Sequence, residues 1–354
     1  MQIDSRRLTD FAAAIFEHGG SSESEARQIA EHLVEANLTG HDSHGVSRII
    51  RYVDYLQAGN VVPNQEITIA LDAPAFAVVD GNMGYGQSTG GAVVDIGVDK
   101  ARQSGVAVVA FRNVAHLGRI GAWAERAAAA GILSIHFVNT TGAGMLVAPY
   151  GGGDARLSTN PIAIGLPRPG QEPIIFDAAT SFVAEGKVFV ANNKGVATPP
   201  GALIDHAGRE TTDPAALYAD PPGAITTFGL HKGSGLCVMT DLLAGLLSGG
   251  GCTAPNTTQL VNNMTSIYVD PSQFADNDAF QQETDRFAQW VKASPPIAGH
   301  SEILLPGEPE RQRMADRQAN GLPLDDTTWA SIIEAARRVG MDEPTITQLT
   351  AERS

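Results

Sequence analysis

Apolar residues near the start of the chain fall at helical spacing. Ala26, Ile29, Ala30, Leu33, Val34 and Asn37 follow Ser22-Glu23-Ser24-Glu25, a capping-box pattern, and Gly40 closes the run. Ile49, Ile50, Val53 and Leu56 make a second stripe, with His44, Arg48, Tyr52 and Tyr55 on a different face. Gly59 stops that helix and Pro63 prevents its resumption. After a turn-rich connection the pattern changes. Residues 76–80 read as a strand, 92–103 as a helix, 105–111 as a buried strand, 120–130 as a helix and 133–138 as a strand, with short strands at 162–166 and 174–176. This βαβ-like rhythm predicts a mixed α/β core. Residues 193–226, rich in Pro, Gly, Asp and Thr, predict an irregular surface excursion. A strongly apolar helix at 236–247 and an alternating strand at 260–269 follow. From 281 the chain returns to helix, with Trp290 in the first segment and a last clear helix at 327–339. Helical material at both ends predicts one discontinuous helical domain, residues 1–75 completed by 300–354, beside an α/β region at 76–299.

Composition is that of an ordinary globular protein. The 354 residues are 43% hydrophobic and 18% charged, enough for a large core. The 38 glycines point to tight turns and close backbone approaches. A net charge of −15 disfavours nucleic acid and anionic membranes as partners. It leaves a small anion open, because local arginines and lysines decide that. Cys237 and Cys252 have no metal-type spacing and predict no disulfide framework, which fits a reducing cytoplasm. The first residues lack the apolar run of a signal peptide, and charges or glycines interrupt every stretch before membrane-spanning length.

Candidate chemistry begins at Asp42-Ser43-His44-Gly45-Val46-Ser47-Arg48. In a continuous helix His44 and Arg48 share a face, with Cβ atoms roughly 6 Å apart. An imidazole moves a proton near neutral pH, and a guanidinium holds a carboxylate in a two-pronged clamp. The pair suits a small acid with a hydroxyl or carbonyl beside its carboxylate. The plainer alternative is a helix-start histidine with surface charges at Arg48 and Arg51. Ala115-His116-Leu117-Gly118-Arg119-Ile120-Gly121 joins a strand to a helix, where backbone donors and Arg119 can take a phosphate or carboxylate. A turn around a buried histidine is the alternative there. Lys232 lies in a glycine-rich helix entry, a candidate anion contact. Asp177, at a strand end, can accept ribose hydroxyls or cap a helix. Leu305-Pro306-Gly307-Glu308, with Arg311 and Arg313 close behind, is a further candidate. Gly84-Tyr85-Gly86-Gln87-Ser88-Thr89-Gly90 misses the third glycine of a dinucleotide fingerprint by one place, and Lys232-Gly233-Ser234 has the wrong order for a phosphate loop. A classical Rossmann assignment is therefore unsupported. No metal site is expected, since no His-Glu-x-x-His or cysteine pair occurs, and no Gly-x-Ser-x-Gly elbow marks a hydrolase.

Six motifs in order make a specific signal: Asp42-Ser43-His44-Gly45, His116-Leu117-Gly118, Thr159-Asn160-Pro161-Ile162-Ala163, Asp177-Ala178-Ala179-Thr180-Ser181, Lys232-Gly233-Ser234-Gly235-Leu236 and Pro306-Gly307-Glu308. Together they resemble the type 2 malate/L-lactate dehydrogenase family, over about residues 5 to 340. The resemblance implies a sulfolactate-dehydrogenase-like fold distinct from Rossmann. It implies NAD or NADP, hydride transfer on a small 2-hydroxy or 2-oxo acid, and a homodimer or a multiple of it, with residues 76–299 as the cofactor-binding and dimerisation region. By matching position, His44 resembles the proton donor, with Ser43 beside it and Arg48 on the substrate carboxylate. His116 falls where some members place the proton acceptor and where the loop touches cofactor. His116-Leu117-Gly118-Arg119-Ile120, Ile174-Ile175-Phe176-Asp177-Ala178-Ala179-Thr180, His231-Lys232 and Pro306-Gly307-Glu308 resemble the cofactor-holding stretches. Thr159, Ser181 and Phe182 join Arg48 as candidate substrate contacts. One departure bears on substrate. Some cyclic imino acid reductases of the family complete a Ser-His-Asp relay with an aspartate near position 187; here Gly186-Lys187-Val188 stands instead, which favours the hydroxy acid dehydrogenases.

The expected chemistry has Arg48 clamping a carboxylate while a neutral His44 or His116 takes the hydroxyl proton, its pKa near the working pH. Which histidine does so, which acid is used, and NAD against NADP stay open. Tyr52 shapes the pocket or fills the core. The rivals are a cyclic imino acid or diketo sugar acid reductase of the same fold, a non-catalytic dinucleotide-binding protein, and a metal-dependent lyase or hydrolase.

Overall fold

The computed structural model describes residues 1–142, 144–255 and 259–351. Its helices include α1 (Ser5–His18), α2 (Glu23–Leu38), α3 (Ile49–Gln57), α4 (Gly86–Ser104), α5 (Gly121–Ala129), α6 (Glu185–Lys194), α7 (His231–Ser248), α8 (Asn277–Lys292), α9 (Glu308–Asn320), α10 (Asp326–Arg338) and α11 (Glu343–Thr350). Side chains start the first two: Asp4 accepts the Arg7 N–H and Ser22 the Glu25 N–H. Leu8, Phe11, Ile15 and Phe16 of α1 pack with Ile29 and Leu33 of α2 and Ile49 and Val53 of α3. Leu322, Ile332, Ala335 and Ile346 join the same cluster, so both ends of the chain share one apolar core.

A second core forms on a seven-stranded sheet of β1 (Thr68–Ala73), β2 (Phe76–Asp80), β3 (Val106–Val114), β4 (Leu133–Gly142), β5 (Ile162–Leu166), β6 (Ile174–Ala178) and β7 (Leu260–Val269). Its spatial order is β1-β2-β3-β7-β4-β5-β6. Only β2 and β3 pair in parallel; the other pairs are antiparallel. The βαβ rhythm thus yields one crossover, β2-α4-β3, and not a parallel sheet. Alternation along a strand fixes its buried face but not its neighbour's direction. That alternation shows in the centre. Val138 and Met264 face α4 and α5 with Val109 and Phe111. Their neighbours face α7: Asn139 Nδ2 donates to Asp241 Oδ1 at 2.9 Å, and Thr265 Oγ1 to the Leu243 carbonyl at 2.9 Å. The far side of α7 leaves Leu236, Met239, Leu242, Leu246 and Leu247 exposed.

Several elements differ from the sequence expectation. Helix α4 begins at Gly86 rather than at 92. Its glycines permit contact: a Cβ on Gly90 would overlap Trp123, and one on Gly86 the His116 carbonyl. The turn-rich connection contains β1, and α6 was not foreseen. The excursion at 193–226 carries a small sheet, Leu203–Ile204 with Glu210–Thr211 and Ala224–Ile225, over its own apolar cluster of Val147, Val188, Ala202 and Leu217. Among the described residues, no helix is long and apolar enough to cross a membrane.

Candidate active site

The segment carrying Ser43, His44 and Arg48 is not one helix. Two 3₁₀ turns, Asp42–His44 and Val46–Arg48, precede α3 and are split at Gly45, whose backbone is extended at φ −91° and ψ −152°. The reason lies at the end of α2. Asn37 Oδ1 accepts the Val46 N–H at 2.8 Å and its Nδ2 donates to Asp42 at 2.7 Å, so the chain folds around this amide. A Cβ at Gly45 would overlap Asn37. The turn still gathers its chemistry. Ser43 Oγ lies 3.0 Å from His44 Nδ1, and Arg48 Nε donates to the Ser43 carbonyl at 2.6 Å.

His116, on the loop between β3 and α5, arrives from the sheet. Its ring stacks on His44 with centroids 5.6 Å apart and planes 19° from parallel. Both rings are half-buried. Tyr52, placed by periodicity on a polar face of α3, is instead 2% exposed in the helical core, with its hydroxyl 2.7 Å from His116 Nδ1. The expected pKa near neutrality is corrected. Burial first, and then the Arg48 charge, push His44 down to about 3 and hold His116 well below the ordinary histidine value. Both imidazoles are neutral beside a guanidinium. A carboxylate brought to Arg48 offsets that positive field.

Glu185, which the sequence did not single out, opens α6 against this turn. Its carboxylate stands 3.9 Å from Arg48 and 3.7 Å from Arg51. Gly186 presses on Ser43, where a Cβ would overlap the serine side chain. The expected place of a relay acid, near 187, thus adjoins the Ser43 turn through Gly186, and no acid stands at 186, 187 or 188.

The other expected residues form separate groups. Arg119, expected to meet an anion, is 2% exposed and tied to Glu35 and Glu125; its backbone N–H goes to His32 Nε2 at 2.9 Å. Two carboxylates already neutralise that guanidinium, so Arg119 serves the fold here and not an anion. Leu117 N–H goes to Asn262 Oδ1 at 2.9 Å, and Ile120 leads into α5. Asp177 takes the helix-capping alternative: it accepts the Gly121 N–H at 2.8 Å, and burial raises its pKa. Ile174, Ile175, Phe176 and Ala178 lie with it on the edge strand β6, Phe176 exposed. Ile175 N–H donates to the Pro306 carbonyl at 3.2 Å, which joins this edge to Pro306-Gly307-Glu308.

Ala179 leads to Thr180, whose N–H bonds the Thr159 carbonyl at 2.9 Å, while Ser181 bridges to Thr227 and Phe182 N–H meets the Thr226 carbonyl at 2.8 Å. Phe182 is exposed three residues before Glu185. His231 and Lys232 are exposed in the first turn of α7, His231 edge-on to Tyr150 at 5.9 Å. The structure thus brings Ser43, His44, Arg48 and His116 together, sets Thr159, Thr180, Ser181 and Phe182 in a second group leading to them through α6, and puts the 174–178 edge with Pro306–Glu308 in a third. A surface cleft of about 640 Å³ between Arg168, Asp285, Lys292 and Glu308 lies apart from the imidazoles, its charges paired with one another.

A solved Escherichia coli structure assigned as a malate/lactate dehydrogenase matches with a TM-score of 0.95, 42% identity and coverage of 99% of this chain and 98% of that one. Sulfolactate dehydrogenase from Methanocaldococcus jannaschii matches at 0.85, 31%, 97% and 98%. Residues 3–333 match the malate/L-lactate dehydrogenase family, and the chain belongs to it. Hydroxycarboxylate dehydrogenase B of Escherichia coli (strain K12) is 44% identical over 353 residues, covering 98% of this chain and 96% of the relative.

Proposed function

We propose that this protein is a nicotinamide-dependent dehydrogenase for small 2-hydroxy and 2-oxo acids, of the malate, lactate or ureidoglycolate kind. The observation that carries the reading is a guanidinium and an imidazole on one split turn with a second imidazole, from the β3–α5 loop, stacked on the first, both rings neutral and half-buried. Arg48 binds the carboxylate, held in aim by its bond to the Ser43 carbonyl. His44 and His116 hold the substrate oxygen between them, and one exchanges its proton. Burial, and after it the charge of Arg48, keeps both rings neutral until the anion arrives. Ser43 orients His44. Thr159, Ser181 and Phe182 line the acid's far side.

The residues present fit a dinucleotide. Gly307, at φ +91°, leaves a notch that a Cβ would fill against Arg311 and the Ile175 backbone, next to exposed Phe176. Ile174–Thr180, Pro306–Glu308, His231-Lys232 and the 116–120 loop would hold it, and when bound it supplies or takes the hydride at C2. The exposed leucines of α7 suit a homodimer, since an apolar strip of this kind is rarely left in water. The protein works in the cytoplasm on this reading.

The test is a panel of 2-oxo acids and their neutral amides, each with NADH and NADPH, followed by nicotinamide fluorescence. Oxidation by at least one acid and by none of the amides is expected. Cofactor binding without oxidation across the panel would replace the enzyme with a binding protein.

A further inference from the structure

We propose that Tyr52 and Gln87 are positioning residues that hold the His116 imidazole in one tautomer, its proton on Nε2. The inference rests on the acid–base reading above and specifies the state in which one of its two rings works.

The direction of each hydrogen bond follows from the one before. Gln87 Nε2 lies 3.0 Å from the His116 carbonyl oxygen and 2.8 Å from the Tyr52 hydroxyl. A carbonyl only accepts, so the amide NH₂ points this way; reversing the amide would set two oxygens against each other. The Tyr52 oxygen therefore receives a proton from Gln87, and its own O–H is left to donate. Its other partner is His116 Nδ1, at 2.7 Å. The Gly118 N–H points at the same nitrogen from 3.3 Å. Two donors on one ring nitrogen leave no place for a proton there, and a neutral imidazole must then carry it on Nε2.

The chain is dry. Gln87 is 4% and Tyr52 2% exposed. Gln87 Oε1 is buried with no hydrogen-bond partner, so the amide keeps this orientation at the expense of an orphan acceptor. The loop cannot swing to relieve it, because Leu117 and Arg119 are bonded to Asn262 and His32. The groups that face His116 are His44 and Arg48 from the split turn, Arg51 and Tyr52 from α3, and His32 from α2. None of them is an acid, so none favours a second proton. His116 thus offers the substrate oxygen a neutral N–H donor, and the exchangeable proton falls to His44, whose Nδ1 meets a serine hydroxyl able to donate or accept.

Histidine ¹⁵N labelling with two-bond ¹H–¹⁵N correlation reads the tautomer directly, with His116→Gln assigning the signal. The wild type is expected to show a pyridine-type Nδ1 and a pyrrole-type Nε2 at neutral pH. In Gln87→Glu the new side chain accepts from Tyr52, the tyrosine turns to accept from the ring, and His116 moves to the Nδ1–H form or the cation. Tyr52→Phe leaves the Gly118 N–H alone on Nδ1 and is expected to give a mixture. In both variants kcat/KM for a 2-oxo acid falls, by roughly 10²-fold in Gln87→Glu, with a changed pH profile. A wild-type ring protonated on Nδ1 overturns the inference, as do wild-type shifts in both variants. The spectrum needs no substrate, so a protein inactive on every acid would fail the functional reading while the tautomer result still decided this one.

Discussion

Arg48→Lys isolates the clamp from the charge. Arg48 spends Nε on the Ser43 carbonyl at 2.6 Å and keeps its terminal nitrogens for a carboxylate, one of them 3.9 Å from Glu185. A lysine retains the charge but cannot anchor itself and present a fork at once. The substrate then loses at least one charge-assisted hydrogen bond, worth about 1.5–3 kcal/mol. At about 1.4 kcal/mol per decade, that is roughly a 10- to 150-fold fall in kcat/KM. The ion pair with Glu185 survives, so the melting temperature should stay close to wild type. The assay compares steady-state reduction of a 2-oxo acid with that of its neutral amide. A loss below about threefold for the acid, or an equal loss for the amide, would remove Arg48 from the carboxylate site.

Three further outcomes are expected. His136 is fully buried between Ser134 and Ser266, and burial lowers its pKa to about 3. The unfolded chain takes up that proton near pH 6.5, so stability is lost as pH falls from there toward 3; His136→Gln should shrink the melting-temperature drop between pH 7.5 and 5, and equal drops would contradict this. Gly186→Ala overlaps Ser43, an overpacking of about 1–3 kcal/mol, and calorimetry with kinetics should show a kcat/KM loss out of proportion to lost stability; wild-type kinetics would mean that α6 yields freely. Leu246→Asp, at a position 66% exposed on α7, should convert a dimer to a monomer in sedimentation equilibrium, and a monomeric wild type would refute the dimer.

Much of the frame was legible along the chain. The Ser22 cap, the α2 and α3 stripes and the strands at 162–166 and 260–269 follow from local pattern, which burial then enforces. Helix α6 was hidden because Glu-Gly-Lys-Val-Phe-Val-Ala-Asn-Asn-Lys has glycine, valines and asparagines and exposes Phe189 and Val190. Strand direction was hidden because alternation is blind to partners. The turn at Gly45 depends on Asn37, one of the α2 stripe positions, acting as a bracket for backbone groups rather than as core. Ser43, His44, Arg48 and His116 were legible as motifs, but the lowered pKa values of the two histidines were not, since those arise first from burial. Gln87 lay inside a glycine run read only as a failed fingerprint, and nothing in sequence ties it to residues 52 and 116. Glu185 likewise gains its meaning only where α6 lands.

The split turn has one more fastening. Arg317 of α9 bonds both the Asn37 carbonyl and the Asp42 carboxylate, reaching back 275 positions to the latter. A chain still emerging from the ribosome has the residues of its first three helices long before this clasp. Catalytic competence should therefore switch on late in synthesis, and fragments cut short of residue 317 should turn over nothing, since they lack the clasp and the part of the helical core supplied by residues 322–346.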